Sequence, residues 1–204
     1  MSLQFVFDYR SPYSYLADTQ VRTWEADIDY RPVDIGAVMK KVNNQPSPAC
    51  PPKARYAVAD ARRWAEHYGV PFAPNMALIQ AMNEGRFDGA MMSRAALVAQ
   101  EIGVFQRVHE ALYEAVWTGT DDLSTAEGRR AFLDTRGIDA HNLWERASSP
   151  PILESMASLV DEVAQRGAFG VPFFFVGDHM FFGNDRLNFV KAQLQSQPLE
   201  GARA

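Results

Sequence analysis

LQFVFDYRSPYSYL, Leu3 to Leu16, decides how the rest of the chain is read. Its first half alternates and ends in an acid, which predicts a short strand over 3–8. Ser11 then has the character of a helix N-cap with Pro12 at the first helical position, and the pattern predicts a helix from Tyr13 to Ala26. Two hydroxyls, Ser11 and Ser14, fall three residues apart on the first turn. The stretch is a well-made helix start, and the open question is whether it also holds something.

Outward from it, Ile28–Val33 reads as a second strand, giving a β-α-β start with parallel strands. Residues 43–52, NNQPSPACPP, form a polar, proline-rich loop. From Lys53 the spacing turns helical and stays so to about residue 166, through KARYAVADARRWAEHYG, DGAMMSRAALVAQEIG, VFQRVHEALYEAVW and PPILESMASLVDEVAQRG. Strand character returns at VPFFFV and HMFF, and DRLNFVKAQLQ closes as a helix. Neither β segment can form a sound sheet alone. Paired, they give an α/β, thioredoxin-like four-stranded sheet with a large all-helical insertion. The expected organisation is a discontinuous sheet domain, 1–36 with 168–204, and a connecting loop plus helical insertion over 37–167.

Gly-Val-Pro-Phe occurs twice, at 69–72 and 170–173. The first copy stops a helix. The second leads into a strand, so Val171–Pro172 is the candidate for a cis bond at a sheet end.

The 204 residues are 47% hydrophobic and 22% charged, with a net charge of −5, which suits a globular core and offers no basic stripe for nucleic acid. Cys50 is the one cysteine, so an internal disulfide and a Cys-x-x-Cys pair are excluded. His67, His109, His141 and His179 lack ligand spacing, and no metal site is expected. The N-terminus has no signal-peptide pattern and the apolar runs are too short to span a bilayer, so the expected location is cytoplasmic.

In a thioredoxin fold the first strand ends at the active site and a cis-proline faces the start of the following helix. Here Ser11-Pro12-Tyr13-Ser14 occupies the place of Cys-x-x-Cys. Dithiol chemistry with the chain's own side chains is ruled out there; a pocket built for sulfur needs sulfur brought in.

In order along the chain, FDYRSPYSYLA, NNQPSPACPPK, RRWAEHYGVPF, GVPFFFV and FGNDRL resemble the 2-hydroxychromene-2-carboxylate isomerases, which stand with the kappa-class glutathione transferases in the DsbA-like branch of the thioredoxin superfamily. The resemblance runs from Phe5 to Leu187, with Cys50 as a local departure from an expected apolar residue. It implies a glutathione-dependent cis–trans isomerase of bacterial naphthalene-type degradation, a homodimer acting on a small aromatic carboxylate. It places Ser11 beside the glutathione sulfur, Asn44 and Lys53 near the tripeptide, Val171 and Pro172 against its backbone, and Asn184 and Asp185 at the γ-glutamyl end. The alternatives are a kappa-like transferase that conjugates electrophiles and a non-catalytic thioredoxin-fold binding module.

Elementary physics is consistent with these roles. A free thiol has a pKa of about 8.5. A helix N-terminus favours an anion by about 0.3–1 kcal/mol, and a charge-assisted bond from the Ser11 hydroxyl adds about 1.5–3 kcal/mol, together worth about one to three pKa units. Asp185 suits the γ-glutamyl ammonium, and Asn184 with helix-start amides suits its carboxylate. Blander readings stand beside these: Ser11 as an ordinary N-cap, Asn184 or Asp185 as the cap of the last helix, Lys53 as a solvated side chain, and Asn44 as a turn residue. Arg10 and Lys53 are the candidates for contact with the substrate, and Arg10 reads equally as a surface arginine. Asp8 either tunes the pocket or bonds nearby backbone. Trp64, Phe87, Trp117, Met91 and Met92 read first as core or cleft wall.

Overall fold

The computed structural model describes residues 2–46 and 49–196. Ser47 and Pro48 of the expected loop, and residues 197–204 of the expected sheet domain, lie outside the described residues.

Four strands, β1 (Ser2–Phe7), β2 (Asp27–Pro32), β3 (Phe173–Val176) and β4 (His179–Phe182), form one sheet in the order β2-β1-β3-β4. β1 runs parallel to β2 and antiparallel to β3, and β3 is antiparallel to β4. The two central strands carry apolar side chains on both faces. Leu3, Phe5 and Phe7 of β1 join Phe174 and Val176 of β3 in one core, while Val6 joins Phe173 and Phe175 in a second core on the opposite face. This is the period-2 alternation of a sheet covered on both sides. Phe5 and Phe174 stack across the β1–β3 pair with centroids 5.1 Å apart.

Helix α1 (Pro12–Val21) follows β1. It stops before the expected Ala26, because the Thr23 and Trp24 N–H groups bond to Gln20 and Val21 carbonyls three residues back and tighten the last turn. Helix α2 (Ile35–Lys41), capped by Asp34, is a short element that the sequence pattern did not separate from its surroundings. The helical stretch comprises α3 (Pro51–Tyr68), α4 (Met76–Asn83), α5 (Ala90–Glu101), α6 (Phe105–Trp117), α7 (Ala126–Asp134), the short α8 (Leu143–Arg146) and α9 (Pro150–Gln165). A 3₁₀ turn, Asn184–Arg186, leads into α10 (Leu187–Ser196).

The larger core is shared: residues of α1, α3, α5, α6 and α7 pack in one cluster with the inner face of the sheet. α9 belongs to the stretch expected as helical insertion, yet its Met156, Leu159, Val160 and Val163 cover the other face of the sheet together with Val38 of α2. An apolar helical stripe shows that a face must be covered but not by what. Within the shared core, Tyr9 Oη lies 2.8 Å from His109 Nδ1, and His109 Nε2 lies 2.9 Å from Asp18 Oδ1, a buried polar chain with every member partnered.

Candidate active site

The site forms where β1 ends. The Ser11 N–H bonds to the Asp8 carbonyl at 3.0 Å and closes a tight turn. Ser11 then has extended backbone (φ −93°, ψ 117°) and caps α1: its hydroxyl oxygen accepts from the Ser14 N–H at 3.2 Å, with Pro12 at the first helical position. Accepting that bond uses a lone pair and leaves the Ser11 O–H free to donate outward. Ser14, at the other hydroxyl position, is fully buried, and its Oγ has no hydrogen-bond partner among the described residues. The two serines therefore differ in kind: Ser11 is half-buried at the helix start and Ser14 is fully buried in the core.

Val171–Pro172 is the cis peptide among the described residues, so the second Gly-Val-Pro-Phe takes the role its place before a strand predicts. The register sets Phe173 opposite Val6, which brings Pro172 beside the end of β1, from which the Ser11 turn departs. The Gly183 N–H bonds the Pro172 carbonyl at 3.0 Å and fixes the loop from the β4 side. Among the described residues neither the N–H nor the C=O of Val171 enters a turn or loop hydrogen bond, which leaves both for an extended partner. Gly170 is required by close approach: a Cβ there would lie 2.7 Å from the Phe182 ring.

Asn184 is buried at 4% exposure, and Tyr68 at the end of α3 donates to its carbonyl at 3.1 Å. Gly183 stands at the N-cap of the 3₁₀ turn Asn184–Arg186, with no side-chain bond, and that turn runs directly into α10. Asp185 is half exposed and paired with Arg186. Its charge contributes to raising the phenols of Tyr13, where burial and the Asp60 bond act more strongly, and of Tyr68, where burial dominates. The 3₁₀ turn, the start of α1 and α3 thus meet.

Lys53 is exposed on the first turn of α3 and lines a cleft of about 420 Å³ with Tyr13, Pro52, Tyr56 and Ala57. Tyr13 sits two residues beyond Ser11 and is fixed by donation to Asp60 Oδ2 at 2.9 Å. A polar hollow of about 570 Å³ between α6 and α7 contains Glu114, Asp121 and Arg136 and none of the candidate site residues. Asn44 is exposed; its amide donates to the Phe169 carbonyl at 2.8 Å, tying its loop to the chain just before Gly170.

Arg10 is engaged within the protein. Its guanidinium is bonded to Asp8, through Nε at 2.9 Å, and to Asp34, through Nη2 at 2.6 Å. A cation already held between two carboxylates has less charge to offer a substrate anion than a free guanidinium has. Cys50 precedes α3 as a free thiol without a capping bond. Phe87, Met92 and Trp117 are buried core, Trp64 and Met91 pack at its edge, and no cluster of three metal-ligating side chains occurs among the described residues. Tyr13, on the cleft with Lys53, and Tyr68, bonded to Asn184, are not singled out by the sequence pattern. Both lie inside the quoted motifs, but a tyrosine in a helical pattern gives no sign of which side it lines.

A helix start capped by Ser11 at the end of the first strand, with a cis-proline ahead of β3, is the arrangement of a thioredoxin-type fold with serine in place of both thiols. Comparison with known proteins agrees. The DSBA-like thioredoxin domain matches residues 2–195. The chain is 34% identical to the 2-hydroxychromene-2-carboxylate isomerase of Sphingobium xenophagum, over 95% of this chain and 97% of that one. It is 25% identical to glutathione S-transferase kappa 1 of Caenorhabditis elegans, over 97% and 92%. A solved 2-hydroxychromene-2-carboxylate isomerase superposes with a TM-score of 0.80 at 24% identity, covering 96% of this chain and 95% of that one. The chain belongs to the DSBA-like thioredoxin family, in the group that holds 2-hydroxychromene-2-carboxylate isomerases and kappa glutathione transferases, and it is an enzyme of that group. No helix among the described residues is long and apolar enough to cross a membrane.

Proposed function

We propose that this enzyme is a glutathione-dependent isomerase interconverting 2-hydroxychromene-2-carboxylate and trans-o-hydroxybenzylidenepyruvate. The observation that carries the reading is the Ser11 helix start with its free hydroxyl proton, opposite the cis Val171–Pro172 bond, in a chain 34% identical to an enzyme of that name. The donor set fits the tripeptide: free backbone groups at Val171 for its cysteinyl unit, Asn184 and Asp185 for the γ-glutamyl end, and Lys53 for a carboxylate. Bound glutathione would supply a thiolate that adds reversibly to the conjugated carbonyl of the ring-opened substrate, making a double bond rotatable, and would leave unchanged. Ser11 would donate to the sulfur and hold it ionised. Tyr13 and Tyr56 would form the aromatic wall of the cleft, with Lys53 at its polar end. Asn44 would act indirectly, by holding the segment before Val171.

The reading extends to aromatic degradation in the cytoplasm, to a homodimer, and to a division into residues 1–36 with 168–204 and residues 37–167, with α9 serving the sheet. The kappa-class relatives favour a second reading, conjugation of glutathione to an electrophile. One assay tests both: the hydroxychromene acid followed spectrophotometrically with and without glutathione, with free glutathione titrated afterwards. Isomerisation that needs glutathione and leaves its concentration constant is expected. Consumption of glutathione supports the transferase, and turnover independent of glutathione overturns both.

A further inference from the structure

Asp8 has no exposed surface, and it stands three residues before Ser11 on the turn that Ser11 closes. A buried carboxylate in that place opposes any anion at the helix start. It is met from several sides. Its oxygens accept from the Arg10 N–H at 2.8 Å, from Arg10 Nε at 2.9 Å and Nη2 at 2.5 Å, and from the Ile35 N–H at 3.0 Å. The stem of Arg10 is fixed as well. A Cβ on Gly89, just ahead of α5, would lie 2.6 Å from Arg10 Cδ and 2.7 Å from Met82 Sδ, so only glycine lets the α5 start pack this closely on the arginine. Asp8 after β1 and Asp34 at the cap of α2 therefore hold the guanidinium, while the start of α5 packs on its stem.

We infer that Arg10 is a positioning residue for the anion site at Ser11: it cancels the buried charge of Asp8 and so lets a thiolate persist at the α1 start. The identity of that thiolate as glutathione rests on the proposed function; the charge cancellation does not. The other ionisable groups around the turn are Asp34 and Asp88 on the Arg10 side, buried Tyr9 and Tyr113 with His109 and Asp18 behind them, and Tyr13, Asp60, Lys53 and Asp185 on the side of the α1 and α3 starts. They are unchanged in every variant below.

The test places a thiol on the protein itself. In a Cys50→Ser background, Ser11→Cys provides a single thiol at the helix start, and its alkylation by iodoacetamide is followed against pH. Three forms are compared: Arg10 intact, Arg10→Met, and Arg10→Met with Asp8→Asn. Arg10→Met should raise the thiol pKa by about one unit, the effect of one unit charge across a short turn at partly screened dielectric. The double variant should return within a few tenths of the parent. An unchanged pKa in Arg10→Met overturns the inference. So does a double variant that stays as high as the single one, since Arg10 would then act on the thiolate directly. If Arg10→Met alone yields too little folded protein, having left a buried carboxylate unpaired, the double variant decides by itself: a parental pKa supports the inference and a raised one overturns it. With Ser11 retained, calorimetry with glutathione separates the two proposals. A protein that binds no glutathione, while the thiol introduced by Ser11→Cys titrates as described, refutes the proposed function and leaves the role of Arg10 standing.

Discussion

Replacing Ser11 separates its two possible jobs. The cap bond from the Ser14 N–H is 3.2 Å long, at the far end of the ordinary range. Loss of a serine cap to alanine costs about 0.5–2 kcal/mol, and a long bond points to about 1 kcal/mol here; glycine at the same place costs only a few tenths. For a chain of 204 residues, a loss of about 1 kcal/mol lowers Tm by about 2–4 °C. The free hydroxyl proton is a separate asset. A charge-assisted bond to a thiolate is worth about 1.5–3 kcal/mol, or about one to two pKa units. Ser11→Ala and Ser11→Gly should therefore both raise the pKa of bound glutathione by that amount, while only Ser11→Ala melts noticeably earlier. The assay is thiolate absorbance of the complex against pH, corrected for free protein, beside thermal melts and the pH profile of isomerisation. Both variants should lose about tenfold or more in rate at neutral pH, and the deficit should shrink as alkaline pH ionises the thiol unaided. If the bound pKa is equal in all three proteins and only the alanine variant melts earlier, Ser-Pro-Tyr-Ser is a helix start and nothing more.

Asp185→Ala should weaken glutathione binding about tenfold or more by calorimetry, through loss of a charge-assisted bond to the γ-glutamyl ammonium; unchanged affinity would put that end of the tripeptide elsewhere. Asp88 is pulled below the usual carboxylate range although partial burial, the largest single influence, pushes the other way; the bond and charge of Arg94, the Ala90 N–H and the charge of Arg10 together outweigh that burial. A depressed carboxyl stabilises above its unfolded pKa and loses that contribution as pH falls through the folded value. Asp88→Asn should thus cost up to about 1 kcal/mol above pH 5 and little at strongly acidic pH, measured by urea unfolding at both; an equal cost at both pH values would mean that packing, not charge, is involved. A Cβ on Gly128 would lie 1.8 Å from the Asp122 carbonyl oxygen, so Gly128→Ala should destabilise by about 1–3 kcal/mol in denaturant unfolding, and parental stability would show that the loop before α7 yields freely.

Much of this protein is legible in its residues taken in order. Period-2 alternation over residues 3–8 marks a strand, Ser11-Pro12 marks a helix start, and the second Gly-Val-Pro-Phe marks the cis bond by standing before a strand. The absence of thiols at Ser11 and Ser14 excludes dithiol chemistry without any structure. These signals are local: each arises from how a few consecutive residues constrain their own backbone. The short α2 escaped because seven residues give too little periodicity to stand out. Other features were decided only when distant segments met. Arg10 is paired with Asp34, 24 residues on, and Tyr68 holds Asn184 across 116 residues. α9 covers the outer face of the sheet, and Tyr9 reaches Asp18 through His109 in the core. Periodicity states which face of an element must leave water and says nothing of which element covers it. A charged side chain in sequence does not disclose whether it will meet solvent, a ligand or an opposite charge, because that depends on the packing of elements that come together only in the folded chain.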